Sequence, residues 1–162
     1  MPWPTRVALA LLLASPLAVA TPLHGLAPCF EQAATHYGVS SELLWAIAQV
    51  ESRLDPLAVN AENTDGSWDI GLMQINSRWL PQLHAAGINP GSLYDPCISI
   101  WVGAWVLAGN VARYGYGWQA VGAYNAGTAD SPSARARRER YANRIHRELR
   151  RAGSLRADAH AP

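Results

Sequence analysis

Apolar residues recur along this chain mainly at the three- and four-residue steps of α-helices, and no run shows the convincing alternation of a strand. The pattern predicts a first helix over about residues 28–37, which Gly38 ends. A second helix starts at a serine N-cap, at position 40 or 41, and has to end before Pro56. Residues 56–76 are rich in Asn, Asp and Gly, so they predict a long polar loop or a small lobe.

The second half of the chain predicts three further helices. Asp95 and the proline after it are typical of a helix start, and the segment to Tyr114 is apolar on almost every face, which predicts a buried central helix. A glycine-rich joint precedes a short helix over about residues 118–124. The last helix covers about residues 131–151 and presents a narrow apolar docking face, with Gly153 as its stop.

The two ends of the chain differ from its middle. Residues 1–20 combine one early arginine, an apolar run and a small-residue ending, which is typical of a secretory signal peptide cleaved after Ala20. An uncleaved N-terminal anchor is the alternative. Residues 21–151 are then one domain with a core of its own, and residues 152–162 are expected to form a disordered tail.

Charge is distributed unevenly along the expected mature chain, which holds 12 arginines, 12 acidic residues and no lysine. Residues 21–129 carry three arginines against eight acids, whereas residues 130–162 carry nine against four. A basic surface therefore belongs to the last helix and its tail, where a solvated helix face and a contact with acidic cell wall or a secretion component are the two interpretations. The overall balance does not indicate a nucleic-acid-binding protein.

Cys29 and Cys97 are the only cysteines in the chain. Export favours a disulfide between them, and two free buried thiols are the alternative. A lone pair without clustered histidines is a poor metal site, and nothing in the sequence implies a metal or an organic cofactor.

The second predicted helix carries one unusual residue, Glu51. It lies about 70° from the centre of the apolar stripe of this helix, so we expect it at the rim of the core. A partly buried carboxyl group stays protonated toward neutral pH and can act as a general acid. The stripe itself consists of four residues within about 60° of one another: Leu43, Ile47, Val50 and Leu54.

Two interpretations of Glu51 are open at this point. It can be an acid in a cleft, or it can cap a neighbouring helix or form an ion pair with Arg53 or Arg78. Structural ion pairs also occupy such rims, so the position alone does not decide between them.

A set of motifs favours the catalytic interpretation of the glutamate. "ES" at 51–52, "GLMQI" at 71–75, "AYNAG" at 123–127 and Tyr141 in "YANRI" occur in this order. The arrangement resembles the lytic transglycosylases of the soluble Slt type, bacterial enzymes with a goose-type lysozyme-like fold, over about residues 28–150. The small size, the signal peptide, the cysteine pair and the continuation "GLMQINSRWLPQL" are most similar to the subgroup associated with conjugation, pilus and type III secretion systems.

The resemblance implies a role for each matching residue. Glu51 is the catalytic acid and base, and Ser52 is the hydroxyl beside it, near the N-acetyl group of the substrate. Met73 touches sugar, and Gln74 braces the site. The opposite wall of the cleft and a hydroxyl that approaches the catalytic carboxyl group complete the expected substrate-binding set: Ser52, Met73, Gln74, Tyr124, Asn125, Ala126 and Tyr141.

The chemistry is consistent with a single carboxyl group. Hydrolytic glycosidases normally need two carboxylates at a defined separation. Asp55 precedes a proline and is more typical of a helix end, and the loop acids Asp65 and Asp69 lie beside glycine and tryptophan, where turns are the usual role. A lytic transglycosylase needs only one acid, because the 6-hydroxyl group of the muramic acid attacks C1 and closes an anhydro ring without water.

Flat aromatic rings suit a glycan cleft, and the chain contains seven tryptophans. Trp68, Trp79 and Trp118 flank the motifs and are the cleft candidates. Three others lie in predicted helices and are more typical of a core: Trp45, Trp101 and Trp105.

We therefore expect a mainly α, lysozyme-like helical domain with a long polar loop or small lobe beside its cleft. By resemblance it cleaves the β-1,4 bond between N-acetylmuramic acid and N-acetylglucosamine and leaves a 1,6-anhydromuramic end. A water-using muramidase and a non-catalytic glycan-binding scaffold protein are the alternatives. The expected partners are peptidoglycan glycan strands and components of a secretion or conjugation apparatus, for a periplasmic monomer that binds no nucleic acid and has no membrane span after signal cleavage.

Overall fold

The computed structural model describes residues 25–158, in which helices surround one long central helix. Two short 3₁₀ helices, Ser77–Trp79 and Pro90–Tyr94, connect parts of the chain. Within the described residues, no helix combines the length and the apolar character needed to cross a membrane. The α-helices are α1 (Ala27–Tyr37), α2 (Ser41–Ser52), α3 (Leu80–Ala85), α4 (Pro96–Tyr114), α5 (Trp118–Ala126) and α6 (Pro132–Asp158).

Local capping explains where the predicted helices start and stop. The Ser40 side chain accepts a hydrogen bond from the Leu43 N–H at the start of α2, and the Asp95 side chain accepts one from the Ile98 N–H at the start of α4. Gly38 ends α1 in the left-handed conformation, with φ of 65°. These predicted helix ends are confirmed.

The central helix is α4, as predicted. It packs against α1, α2 and α5 and touches the small sheet described below. Ile100 and Leu107 are completely buried within it, and Trp101 and Trp105 are half-buried against the same core. Because other elements pack against α4 on several sides, this closely packed helix fixes their positions relative to one another.

The polar segment after α2 forms a small lobe that contains a three-stranded antiparallel sheet. Its strands are β1 (Val59–Asn60), β2 (Asp69–Ile70) and β3 (Ile75–Asn76), in the order β1-β2-β3. The prediction of a small lobe is confirmed, but the sequence did not predict these strands or α3. Each strand has two residues, which is too short to show alternation.

The predicted end of the last helix is wrong. α6 continues through Gly153 to Asp158 instead of ending near Arg151. A glycine in a helix interior costs only about 1 kcal/mol relative to alanine, so it does not force a stop. Residues 1–24 and 159–162, which include the predicted signal peptide and the end of the predicted tail, lie outside the described residues.

Two close contacts tie the helices together. The disulfide between Cys29 and Cys97 joins α1 to α4, with the two Cα atoms 5.2 Å apart, so the predicted pairing is confirmed and the free-thiol alternative is wrong. Gly122 lets α5 approach α6, since a Cβ atom there would lie 2.4 Å from the carbonyl oxygen of Arg138. Any larger residue at position 122 would push the two helices apart.

Candidate active site

A cleft of about 1040 Å³ separates the small lobe from α5 and α6. Its walls come from the C-terminal end of α2, the lobe, α3, α4, α5, the loop after α5 and Arg137 of α6. Tyr141 does not line the cleft but contacts Glu51, which does. Five of the residues predicted for the site line the cleft directly: Glu51, Gln74, Tyr124, Asn125 and Ala126.

Glu51 lies on a more deeply packed side of α2 than the wheel predicted. The neighbouring residues on its side, Leu44 and Ala48, have no exposed surface, whereas Val50 and Leu54 of the predicted stripe are only half-buried. The helix is therefore buried over a wider arc, because α1, α4 and α6 all pack against it. Glu51 itself is half-buried next to this packed side, which agrees with the predicted position at the rim of the core.

Burial raises the pKa of Glu51 from 4.5 to about 7. The Tyr141 hydroxyl donates a hydrogen bond of 2.5 Å to Oε1 of this carboxyl group and, with the nearby charge of Arg144, works in the opposite direction. The negative charge of Asp69 adds to the rise. The carboxyl group therefore exchanges its proton near neutral pH, where a general acid is most useful.

The structural alternative for Glu51 is not observed. Arg78 forms its ion pair with Asp65, at 2.7 Å, and no ion pair joins Glu51 to Arg53 among the described residues. Arg53 instead occupies the position after α2 in a left-handed conformation, with φ of 57°. Among the described residues Glu51 thus forms no ion pair, and the charge of Arg144 acts on it only from a greater distance.

Two tyrosine hydroxyls donate hydrogen bonds near the active site, one to Glu51 and one to the backbone of the "GLMQI" segment. Burial and the charge of Glu51 raise the pKa of both Tyr124 and Tyr141 well above the usual value, so both groups stay protonated and act as donors. Tyr124 donates to the carbonyl oxygen of Met73 at 2.9 Å, which links α5 to the segment before β3. Tyr141 donates to Glu51 itself.

Ser52 has a bracing position in this structure. Its hydroxyl donates to the carbonyl oxygen of Leu72 at 2.7 Å, which fastens the end of α2 to the "GLMQI" segment. It is not part of the cleft wall. Because this hydroxyl already donates to Leu72, its oxygen can contact an N-acetyl group only as an acceptor of the N–H.

Met73 also differs from the expectation that it touches sugar. Its side chain has no exposed surface and packs against Gly103 of α4, where a Cβ atom would lie 2.5 Å from the methionine methyl group. Its N–H donates to the Ser99 hydroxyl at 3.0 Å. Met73 thus anchors the cleft wall from behind, as a flexible side chain that fills a gap in the core.

Gln74 holds the bend between β2 and β3. It has a positive φ of 48°, and its side-chain amide donates to the carbonyl oxygens of Ala58 and Gly71 at 3.1 and 2.9 Å. Gln74 therefore satisfies backbone groups of a strained turn while its side chain faces the cleft. This arrangement fits the bracing role expected for it.

Only one of the three tryptophans predicted for the cleft lies there. Trp79 lines it and makes an edge contact with Trp105, with ring centroids 5.0 Å apart. Trp68 packs against the core, and Trp118 contacts His146 on the outside of the molecule. One wide apolar ring is thus available to a sugar face in the cleft.

Asp69 is a second acid in the cleft, and three asparagine amides hold it. Asn60 and Asn63 donate to Oδ2 at 3.0 and 2.9 Å, and Asn76 donates to Oδ1 at 2.7 Å. Asn60 and Asn76 lie directly opposite Asp69 in the two strand pairs. The carboxylate is therefore the polar centre of the lobe, and most of its lone pairs are occupied.

Comparison with known protein families identifies the family of this chain. The transglycosylase SLT domain family matches residues 28–146. The chain belongs to this family. Its membership confirms the enzyme class that the motifs implied, a peptidoglycan lytic transglycosylase.

Relatives of similar length support the assignment to the SLT family. Invasion protein IagB of Salmonella typhimurium is 47% identical over 133 residues, which cover 82% of this chain and 81% of that protein. Protein IpgF of Shigella sonnei is 42% identical over 131 residues, covering 80% of this chain and 84% of that protein. The X polypeptide of Escherichia coli is 38% identical over 122 residues, covering 75% and 72%.

A solved structure shares the fold. The lytic transglycosylase Slt of Pseudomonas aeruginosa, determined as an inactive mutant, matches with a TM-score of 0.59 at 20% sequence identity. The matched region covers 75% of this chain but only 23% of the Slt chain. The likeness confirms the mainly helical fold expected for an SLT domain, and the much longer Slt chain has parts with no counterpart here.

Two residues of this SLT domain were missed by the sequence analysis. Arg138 is buried, with 3% of its surface exposed, and its guanidinium donates to the carbonyl oxygens of Gly127 and Ala129, which line the cleft. Asn110 of α4 also lines the cleft, and its amide nitrogen is buried without a hydrogen-bond partner among the described residues. Arg138 fixes the wall after α5, and Asn110 offers a donor to a polar group in the cleft.

The site of this SLT domain is suited to proton transfer. It combines one carboxyl group that titrates near neutral pH, two permanent hydroxyl donors and a polar lobe. Within residues 25–158, no three His, Cys, Asp or Glu side chains come together as a metal-ligand set. The described groups can therefore protonate a bridging oxygen and hold a polysaccharide in place.

Proposed function

We propose that the protein cleaves the β-1,4 bond between N-acetylmuramic acid and N-acetylglucosamine in peptidoglycan and leaves a 1,6-anhydromuramic end. The observation that carries the proposal is that only one of the three acids lining the cleft is available for chemistry. Hydrogen bonds from Ser67, together with the charge of Arg78, lower the pKa of Asp65, so it is ionised. Asp69 accepts three amide hydrogen bonds, which leaves Glu51 as the proton donor.

The proposed reaction uses Glu51 twice. The protonated carboxyl group donates its proton to the glycosidic oxygen, the bond from that oxygen to C1 of the muramic acid breaks, and C1 gains oxocarbenium character. The 6-hydroxyl oxygen of the same sugar then bonds to C1, and its proton returns to the Glu51 carboxylate. No water is consumed, and the enzyme ends in the protonation state in which it started.

The other residues of the site are proposed to orient the substrate or the acid. Gln74, Asn125 and Ala126 line the cleft and are placed to contact sugar. Tyr141 aims the carboxyl group of Glu51 through its hydrogen bond. Ser52, Met73 and Tyr124 act behind the cleft wall, where their hydrogen bonds and packing hold the "GLMQI" segment against α2 and α5.

Product mass analysis tests the proposal. Purified peptidoglycan is digested with the wild type, with Glu51→Gln and with Glu31→Gln, which removes an exposed carboxylate from α1 and serves as the matched control. We expect anhydro ends from the wild type and the control, and a loss of at least about a hundredfold in rate for Glu51→Gln. Unchanged release of anhydro ends by Glu51→Gln would refute the proposed mechanism, and no release by the wild type would indicate a binding or scaffold protein.

A water-using muramidase is the second candidate, and the presence of Asp69 in the cleft favours it. A hydrolase needs a second carboxylate, and Asp69 lies close enough to influence the pKa of Glu51. Its product would be heavier by one water than an anhydro end. If Asp69 is only a brace of the lobe, Asp69→Asn keeps the anhydro product and lowers stability, whereas a hydrolase would lose its water-derived product.

The biological setting is proposed from the resemblance and from the names of relatives. The Salmonella relative is called an invasion protein, which supports local opening of the wall for an envelope-spanning secretion, pilus or conjugation apparatus. The disulfide supports a periplasmic location, because such bonds persist in oxidising compartments. N-terminal sequencing of the exported protein should begin at Thr21, and retention of residues 1–20 would favour an N-terminal anchor.

A further inference from the structure

Five exposed arginines follow one side of α6. They occur at alternating steps of three and four residues, which places them within about 80° of one another on a helical wheel and along about 21 Å of helix. On the same wheel, the centre of these five arginines lies about 130° from the centre of the buried side of the helix. We call this set the arginine stripe: Arg137, Arg140, Arg144, Arg147 and Arg151.

The arginine stripe is not neutralised by the protein. Among residues 25–158, the ion pairs are those of Arg78 with Asp65 and of Arg135 with Asp130, and none includes a residue of the stripe. Like charges three or four residues apart on a helix repel one another. Glu148 lies one helical turn from Arg144 and Arg151 but forms no ion pair with either among the described residues, so the five arginines outnumber the acids beside them and are available to an anionic group from outside.

The arginine stripe is continuous with the catalytic cleft. Arg137, at its N-terminal end, is part of the cleft wall. The guanidinium carbon of Arg144 lies 5.8 Å from the centre of the Tyr141 ring, and Tyr141 holds the carboxyl group of Glu51. A polymer that enters the cleft and leaves it on this side therefore passes along the stripe.

We propose that the arginine stripe binds the free carboxylates of the stem peptides on the glycan strand whose sugars occupy the cleft, an inference that rests on the proposed function. Where a stem peptide is attached, the lactyl carboxyl group of muramic acid is consumed in the amide bond, so the anionic groups of a substituted strand are the free carboxylates of its peptides. Arginine pairs with carboxylates through two parallel N–H···O bonds, which suits a repeated carboxylate better than a single one. The stripe thus makes peptide-substituted strands the preferred substrate.

Removal of the outer part of the stripe tests this proposal. The variant Arg140→Gln/Arg147→Gln/Arg151→Gln keeps the two arginines that lie at the cleft or against Tyr141. It is assayed on purified peptidoglycan before and after chemical conversion of the free carboxylates to amides. Because the outer arginines lie away from the bond that is cleaved, the change should raise KM and leave kcat unchanged.

The matched control removes three exposed arginines that are not on the stripe. Arg53→Gln/Arg113→Gln/Arg150→Gln gives the same loss of charge at three other surface positions. We expect the stripe variant to lose about tenfold in kcat/KM on untreated peptidoglycan, the sum of three exposed ion pairs, and the control to lose less than about twofold. On amidated peptidoglycan the wild type and both variants should have equal KM values.

The outcomes separate this inference from the proposed function. If wild type and stripe variant cleave untreated peptidoglycan with the same KM, the proposal is overturned, and an acidic protein partner becomes the better explanation of the stripe. An equal loss in both triple variants would show an effect of net charge and would also overturn it. Failure to release anhydro ends from either substrate would instead refute the proposed function.

Discussion

The energetic cost of ionising Glu51 leads to a direct prediction about stability. The pKa of Glu51 is about 7 in the folded protein and 4.5 for an ordinary glutamate, a difference worth about 3 kcal/mol. Between these two pH values the folded state binds more protons than the unfolded state. The contribution of Glu51 to stability is therefore complete below pH 4.5 and is lost as the pH rises through about 7.

Glu51→Gln removes the ionisation and keeps the shape of the side chain. Relative to Glu51→Gln, the free energy of unfolding of the wild type should fall by about 3 kcal/mol between pH 4 and pH 8. The glutamine amide also introduces a constant difference, because its N–H groups need partners in the buried site. The free energy of ionising Glu51 is therefore measured by how the stability difference between wild type and Glu51→Gln changes with pH, and not by its value at one pH.

Urea unfolding of the oxidised protein at a series of pH values provides the measurement. Glu31→Gln, which removes an exposed carboxylate, is unfolded in parallel to correct for the loss of one negative charge. Parallel curves for the wild type and Glu51→Gln from pH 4 to pH 8 would refute the conclusion that burial keeps this carboxyl group protonated. If the stability of the wild type relative to Glu51→Gln were larger at pH 8 than at pH 4, folding would lower the pKa of Glu51 instead of raising it.

Three further predictions follow from single contacts. Tyr141→Phe removes the hydrogen bond that lowers the pKa of Glu51, so the alkaline fall of kcat/KM should move to higher pH, and an unmoved pH profile would contradict this. Gly122→Ala should cost about 1–3 kcal/mol in chemical unfolding, because the added methyl group meets the backbone of α6, and an unchanged midpoint would contradict the close packing. Removing the disulfide, which spans 68 residues, by a double substitution to serine should cost about 4 kcal/mol, and a loss below about 1 kcal/mol would show that it contributes little.

Much of the helical framework could be predicted because its signals are local. The serine cap of α2, the Asp95 cap of α4 and the glycine after α1 each act within a few residues, and the structure places them as the sequence indicated. The end of α6 could not be predicted in the same way. A glycine inside a helix is a small cost, which the rest of a long helix easily outweighs.

The sequence predicted where the lobe lies in the chain but not its strands. The contacts that form the lobe do not produce a periodic pattern of apolar residues in the sequence. Asp69 accepts hydrogen bonds from three asparagines that lie 9, 6 and 7 residues away from it, and one carboxylate thereby connects strands of two residues each. The sequence signal for such a centre is only an excess of Asn and Asp. Pairing of the strands, and with it the shape of the cleft wall, becomes visible only in three dimensions.

Arg138 shows that a signal can be present and still be overlooked. It lies three residues before Tyr141 and seven before Ile145, in phase with the buried side of α6, whereas the arginine stripe has a different phase. The sequence analysis assigned the arginines of this segment together to one basic surface, so the single buried arginine was not recognised. The phase of the apolar residues would have separated it from the exposed ones.

The burial of Glu51 bears on both halves of the proposed reaction. An acid that titrates near pH 7 is still protonated when a glycan arrives, and a sugar that fills the cleft removes more water from it. Once the proton has gone to the leaving oxygen, the carboxylate that remains is poorly solvated and is stabilised mainly by the Tyr141 hydroxyl and the charge of Arg144. That instability makes it a stronger base toward the 6-hydroxyl proton than an ordinary carboxylate is. The same desolvation therefore explains why one carboxyl group can serve first as the acid and then as the base, where a better solvated glutamate would need a second residue.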